Sequence, residues 1–183
     1  MGACHFGTIP LTSGAIESRV TSSGRMSRIE RTIEIGAPLE EVFNFFTDIR
    51  NHGRITPPKT AERLVDHGDI PLRKGSIVTL RARYGGVYWN LSSRITDYVP
   101  PSSQQSGHGY FRDEQVRGPF AFWKHEHIFI GLSDNATGLT DRFDFAAPFG
   151  VLGRIVERIW LDREMRGLMI HLQDTAKRLI EVE

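Results

Sequence analysis

The sequence predicts an α+β domain in which a curved antiparallel sheet of about six to seven strands wraps around one long C-terminal helix. Three observations predict it. Between Ala61 and Pro148 the apolar pattern repeats mostly every two residues, with short turn-rich breaks. After Pro148 the period becomes helical and stays so. The short connections of the meander make it antiparallel, and its apolar face needs a cover that only the final helix is long enough to supply.

The elements follow in order. Arg28 to Ile35 alternates, with Ile29, Ile33 and Ile35 on one face, and Gly36 ends this strand. Pro38 suits a first helical turn, and Val42, Phe45, Phe46 and Ile49 continue at helical spacing. Phe43 lies off that stripe and is expected to be only partly buried. Asn51-His52-Gly53 closes the short helix, and Pro57-Pro58 marks a loop. A weak strand spans Ala61 to His67. A stronger one, Ser76 to Tyr84, turns at Gly85-Gly86 into a return strand with Trp89, Leu91, Ser93 and Ile95 on one face. Pro100 to Gly107 is a polar loop. Tyr110 to Val116 is a strand of ambiguous facing, and Gly118-Pro119 leads into the next. The last strand carries Leu139, Asp141, Phe143 and Phe145 inward, with Arg142 and Asp144 outward. One helix then runs from Val151 to Glu181, its stripe including Leu152, Ile155, Val156, Ile159, Met165, Met169, Leu172, Ala176 and Leu179, with a loosening expected near Gly167.

Composition bounds the function. The 183 residues suit one domain, and 39% hydrophobic with 25% charged residues is ordinary for a globular protein. A net charge of +1 with mixed signs argues against a nucleic-acid surface. The single cysteine, Cys4, excludes an intramolecular disulfide and a Cys-rich metal site. No apolar run is long enough to span a membrane. There is no secretory signal, so a cytoplasmic location is expected. Residues 1–26 read as a disordered or loosely docked extension, because Thr12 to Gly24 is rich in Ser, Thr and Gly without a sustained period. The domain proper is 27–183, and Met26 is a possible start.

The chemistry concentrates on one strand, Trp123-Lys124-His125-Glu126-His127-Ile128-Phe129. Alternation places Trp123, His125, His127 and Phe129 inward and Lys124 and Glu126 outward. Two inward imidazoles need partners or a ligand. Asp141, on the next strand, and Gln115 are the nearest candidates. Four readings follow: a buried polar network, a ligand anchor, a general base with Asp141 fixing the imidazole tautomer, or a metal site completed by Asp113 or Asp141. The catalytic candidates are His125, His127 and Asp141. No metal or other cofactor is expected.

The order of elements resembles the helix-grip fold of the START, polyketide-cyclase and pollen-allergen (SRPBCC) superfamily. The segment Arg28 to Phe43, strand then Ala37-Pro38 then helix, looks like that superfamily's opening. Phe111-Arg112-Asp113-Glu114-Gln115, Gly118-Pro119-Phe120, His125-Glu126-His127, Thr140-Asp141-Arg142-Phe143 and Pro148-Phe149-Gly150 look like its bacterial "cyclase/dehydrase" branch. The resemblance implies a deep cavity between sheet and helix for a small hydrophobic molecule such as a lipid or polyketide. Its expected lining is Trp89, Phe111, Trp123, Phe129 and Phe143, with Gln115, His125, His127 and Asp141 anchoring a polar end. Access is expected near Pro57-Pro58 and Pro148-Phe149-Gly150. The alternatives are a cyclase or dehydratase acting through the same polar group, or a regulatory or interaction domain with a collapsed cavity. A monomer or weak dimer is expected, without nucleic-acid partners.

Overall fold

Alternating sequence becomes alternating structure. The computed structural model describes residues 16–23, 26–84, 86–102 and 107–182. Its strands are β1 (Ile16–Ser23), β2 (Met26–Ile35), β3 (Arg63–Asp66), β4 (Ile77–Tyr84), β5 (Val87–Val99), β6 (His108–Arg117), β7 (Phe122–Ser133) and β8 (Ala136–Ala146). They form a single sheet in the order β1-β2-β8-β7-β6-β5-β4-β3. Every neighbouring pair is antiparallel. Seven of these are the expected strands. The eighth, β1, comes from the extension expected to be disordered or loose; it pairs with β2, Val20 opposite Ile29 and Ser22 opposite Ser27. Backbone hydrogen bonding to an open edge makes this strand, which is why its polar composition gave no signal. Cys4 and the other residues of 1–15 lie outside the described residues. So do Gly85 of the hairpin turn and 103–106 of the polar loop.

Between β2 and β3 the chain forms α1 (Leu39–Thr47), a 3₁₀ turn (Ile49–Asn51) and the single-turn α2 (His52–Ile55). Phe43 is almost fully buried, not half-buried as its place beside the stripe suggested. The curved sheet reaches around α1 and meets it on a second side. Phe43 packs edge-on against Phe129, Tyr98 and Phe111, with centroids 5.3, 5.4 and 6.1 Å away. Gly109 makes room for it, since a Cβ there would stand 2.7 Å from the Phe43 ring.

The C-terminal segment is not one uniform helix. It consists of α3 (Gly150–Val156), a wide π turn (Glu157–Leu161) and α4 (Asp162–Ile180). The irregularity falls at this turn and not near Gly167, which lies inside α4 with nothing against it. Of these three pieces it is α4 that covers the sheet, burying Met165, Met169, Leu172, Ala176 and Ile180. Ile155 and Ile159, counted in the apolar stripe, are 51% and 74% exposed. A π turn adds a residue and rotates the face that follows, so a stripe continuous in sequence is not continuous in space.

The outer face of the sheet is a charged ladder. Arg28 and Lys124 both reach Asp144, at 2.5 and 2.8 Å. Arg142 reaches Glu30 and Glu126, at 2.5 and 3.2 Å, and the Tyr110 hydroxyl donates to Glu126 at 2.8 Å. Glu126 and Lys124 point outward as expected, but these neighbours cover Glu126 until it is buried.

Candidate functional site

The inner face of β7 is as its alternation predicts: Trp123, His125, His127 and Phe129 are all buried. Register sets their neighbours. His125 lies between Asp113 of β6 and Phe143 of β8. His127 lies between Phe111 of β6 and Asp141 of β8. The ambiguous strand β6 therefore turns Phe111 and Asp113 inward.

Asp141 is the hub. Its Oδ1 lies 2.6 Å from His127 Nδ1 and 3.6 Å from His125 Nε2. Neither contact is an aligned hydrogen bond, so all three buried atoms lack one. On its far side His125 Nδ1 is 3.6 Å from Asp113 Oδ1, and Trp123 Nε1 donates to Asp113 Oδ2 at 3.2 Å. The imidazole centroids are 3.8 Å apart, with Phe111 stacked on His127 and Phe143 edge-on to His125, both at 4.2 Å. Burial pushes the Asp141 carboxyl up, but the two imidazoles outweigh it and hold the group well below the usual carboxylate range. Burial, and then the neighbouring His127, push His125 down, which favours its neutral form.

This cluster floors a pocket. Its apolar wall includes Phe45, Phe46, Ile55, Leu72, Val78, Leu91, Ile95 and Leu172, and Phe111 and Trp123 flank the polar floor. Among the described residues this pocket is much smaller than the deep cavity expected: its free volume is about 100 Å³. Small-molecule sites usually start at about 300 Å³, so this volume weighs against both small-molecule readings.

Several expected lining residues lie elsewhere. Trp89 is 44% exposed near the β4–β5 turn; the period of β5 gives its face correctly, but the hairpin runs past the end of the core. Gln115 does not join the histidines. Its side chain donates to Phe120 O at 2.8 Å and accepts from Phe120 N–H at 3.3 Å, which clamps the turn into β7. Phe129 and Phe143 are core side chains supporting His127 and His125 and do not line the pocket. Pro148, Phe149 and Gly150 are absent from the pocket wall, whereas Ile55, next to the Pro57-Pro58 loop, belongs to it.

Sequence reasoning missed a second imidazole–carboxylate pair. His52 of α2 lines the pocket, and its Nδ1 lies 2.6 Å from Glu62 Oε1, which also accepts from the Thr56 hydroxyl at 2.9 Å. Burial lowers the His52 pKa, but the Glu62 charge and hydrogen bond, with help from Asp113, raise it overall. Burial raises Glu62, and His52 and Thr56 bring it below its usual value. A raised histidine stabilises fully below its unfolded pKa of about 6.5 and loses that contribution as pH rises through its folded value. A lowered glutamate stabilises above about 4.3 and loses its contribution as pH falls through its folded value. Urea midpoints of Glu62→Gln should therefore fall furthest below those of the unsubstituted protein between about pH 4.3 and 6.5, with the gap narrowing on either side. A pH-independent gap would contradict the pairing.

A family model described as "Polyketide cyclase / dehydrase and lipid transport" matches residues 35–166. The chain belongs to this family. Solved structures share the fold of this family member at low identity. A START superfamily protein from Mycobacterium smegmatis is 17% identical with a TM-score of 0.59, covering 86% of this chain and 98% of that one. An aromatase/cyclase from Streptomyces sp. R1128 is 17% identical with a TM-score of 0.58, covering 84% and 96%. Norcoclaurine synthase of Thalictrum flavum is 11% identical with a TM-score of 0.63, covering 87% and 97%. No curated protein sequence matches this chain. No described helix is long and apolar enough to cross a membrane.

Proposed function

We propose that this domain binds a small, mostly apolar molecule in the pocket, with the molecule's polar end held at Asp113, His125, His127 and Asp141. The observation that carries the reading is the floor itself. Buried polar atoms without aligned partners converge at one end of a pocket whose other walls are aliphatic and aromatic. This is the usual composition of a ligand site, apolar walls with a few convergent polar groups. Family membership supports a ligand-binding or cyclase role in general. A free volume of about 100 Å³ means that the bound form must be wider than this one. The wall suited to move is 49–55, where two short helical turns stand in place of a long packed helix.

A cyclase or dehydratase is the second reading, favoured by the 2.6 Å approach of Asp141 to His127 Nδ1. That contact orients the ring and leaves Nε2 as the nitrogen able to take a proton. Native mass spectrometry of the purified chain tests the binding reading. A noncovalent adduct that disappears on denaturation is expected, whereas repeated bare-mass spectra, together with no uptake of added oleate or 2-naphthol, would contradict it.

A further inference from the structure

We infer that Asp113, His125 and His127 form a binding site for a divalent transition-metal ion, with Asp141 behind them as the residue that orients both imidazoles. One ligand atom from each of the three lies within 4.8 Å of the others. In a tetrahedral shell with bonds of about 2.0–2.1 Å the donors stand about 3.4 Å apart, so binding draws the set inward by an ångström or so.

Three features favour an ion over a self-contained network. First, the cluster is not locked by hydrogen bonds: His125 Nε2, His127 Nδ1 and Asp141 Oδ1 face one another without an aligned one, so the rings are free to turn as an ion draws its ligands inward. Second, two carboxylates, Asp113 and Asp141, meet at the floor, and among the described residues their ion pairs are with the two histidines. Arg31 stands opposite Asp141 across β2 and β8 but directs its guanidinium to Asp174 at 2.8 Å and Gln173 at 3.2 Å. Third, Asp141 occupies the place of an outer carboxylate. Metal-bound histidines usually give their second nitrogen to a carboxylate, which fixes the tautomer. Here one carboxylate serves two rings, through Nδ1 of His127 and Nε2 of His125. His125 then turns Nδ1 toward Asp113, and His127 keeps Nε2 for the ion.

Two imidazoles and one carboxylate suit zinc, iron, copper or nickel better than magnesium or calcium. Three protein ligands leave a coordination position free, next to the small pocket. The ion would use the same floor residues as the organic ligand proposed above, but its binding needs no organic molecule.

The experiment is a titration of the chelator-stripped, full-length protein with Zn²⁺ in the absence of any organic molecule, followed by competition against a chromophoric chelator. Co²⁺ substitution provides a spectroscopic check. One ion per chain is expected. His127→Ala and Asp113→Asn should each weaken binding at least 100-fold, and Asp141→Asn about 10- to 100-fold. Asp113→Asn is nearly isosteric and guards against a histidine variant that fails to fold, with near-ultraviolet circular dichroism as the fold check. No stoichiometric binding, or binding unchanged in these folded variants, overturns the site. Either result leaves the organic-ligand reading standing, because oleate and 2-naphthol uptake is measured separately in the presence of chelator.

Discussion

Phe43→Ala is expected to destabilise the domain by about 3–5 kcal/mol, the usual range for truncating a buried aromatic. The position is demanding because Phe43 joins α1 to three strands at once, touching Phe129 of β7, Tyr98 of β5 and Phe111 of β6. Truncation leaves a cavity that the surroundings cannot close, since Gly109 lies directly under the ring and has no side chain to move in. Phe111 also stacks on His127, so the loss should loosen the pocket floor as well as the core. Urea denaturation followed by far-ultraviolet circular dichroism checks the magnitude. A cost below about 1 kcal/mol would show that α1 is not held by this cluster.

Asp141→Ala should be comparably costly, about 3–5 kcal/mol, because it strands two buried imidazoles without their shared carboxylate. The companion experiment separates stability from function. Replacing Asp141 and both imidazoles together, His125→Leu, His127→Leu and Asp141→Leu, removes the stranding while Asp113 keeps its hydrogen bond from Trp123, and such apolar replacements are often neutral or stabilising. The triple variant is therefore expected to recover most of the stability lost in the single variant while losing the polar end of the binding site. A triple variant less stable than Asp141→Ala would mean that the cluster's geometry, rather than its polarity, holds the sheet together.

Much of this architecture is visible in the sequence because strands with one wet and one dry face must alternate. The inward order Trp123, His125, His127, Phe129 and the placement of Asp141 follow from that rule alone. What alternation does not reveal is how far a face stays covered. Trp89 shares a face with Leu91, Ser93 and Ile95, yet the sheet overhangs its core there and leaves Trp89 exposed. Ile155 and Ile159 make the same point for a helix, where a wide turn takes an unbroken stripe away from the sheet. Gln115 lies on a strand whose facing the sequence leaves ambiguous, and its amide is consumed by the backbone of the adjoining turn. His52 and Glu62 escaped notice because a one-turn helix and a loop carry no period. Their pairing depends on how 52–62 folds back on itself. The pocket's small volume was equally hidden, since it depends on how tightly Phe45, Phe46, Ile55 and Leu72 close over the floor.

Trp123 supplies the most direct measurement. Its indole N–H donates to Asp113 at the edge of the polar floor, whereas Trp89 and Trp160 are exposed. In a two-dimensional ¹H–¹⁵N spectrum the three indole signals can be followed as 2-naphthol, an apolar molecule with one polar end, is added. The account predicts a saturable shift of the Trp123 signal that is lost in the Asp113→Asn, His125→Leu double variant, with the signals of Trp89 and Trp160 unmoved. A Trp123 signal that stays fixed up to the solubility limit of 2-naphthol, and equally with oleate, would contradict a ligand-binding pocket above the two histidines.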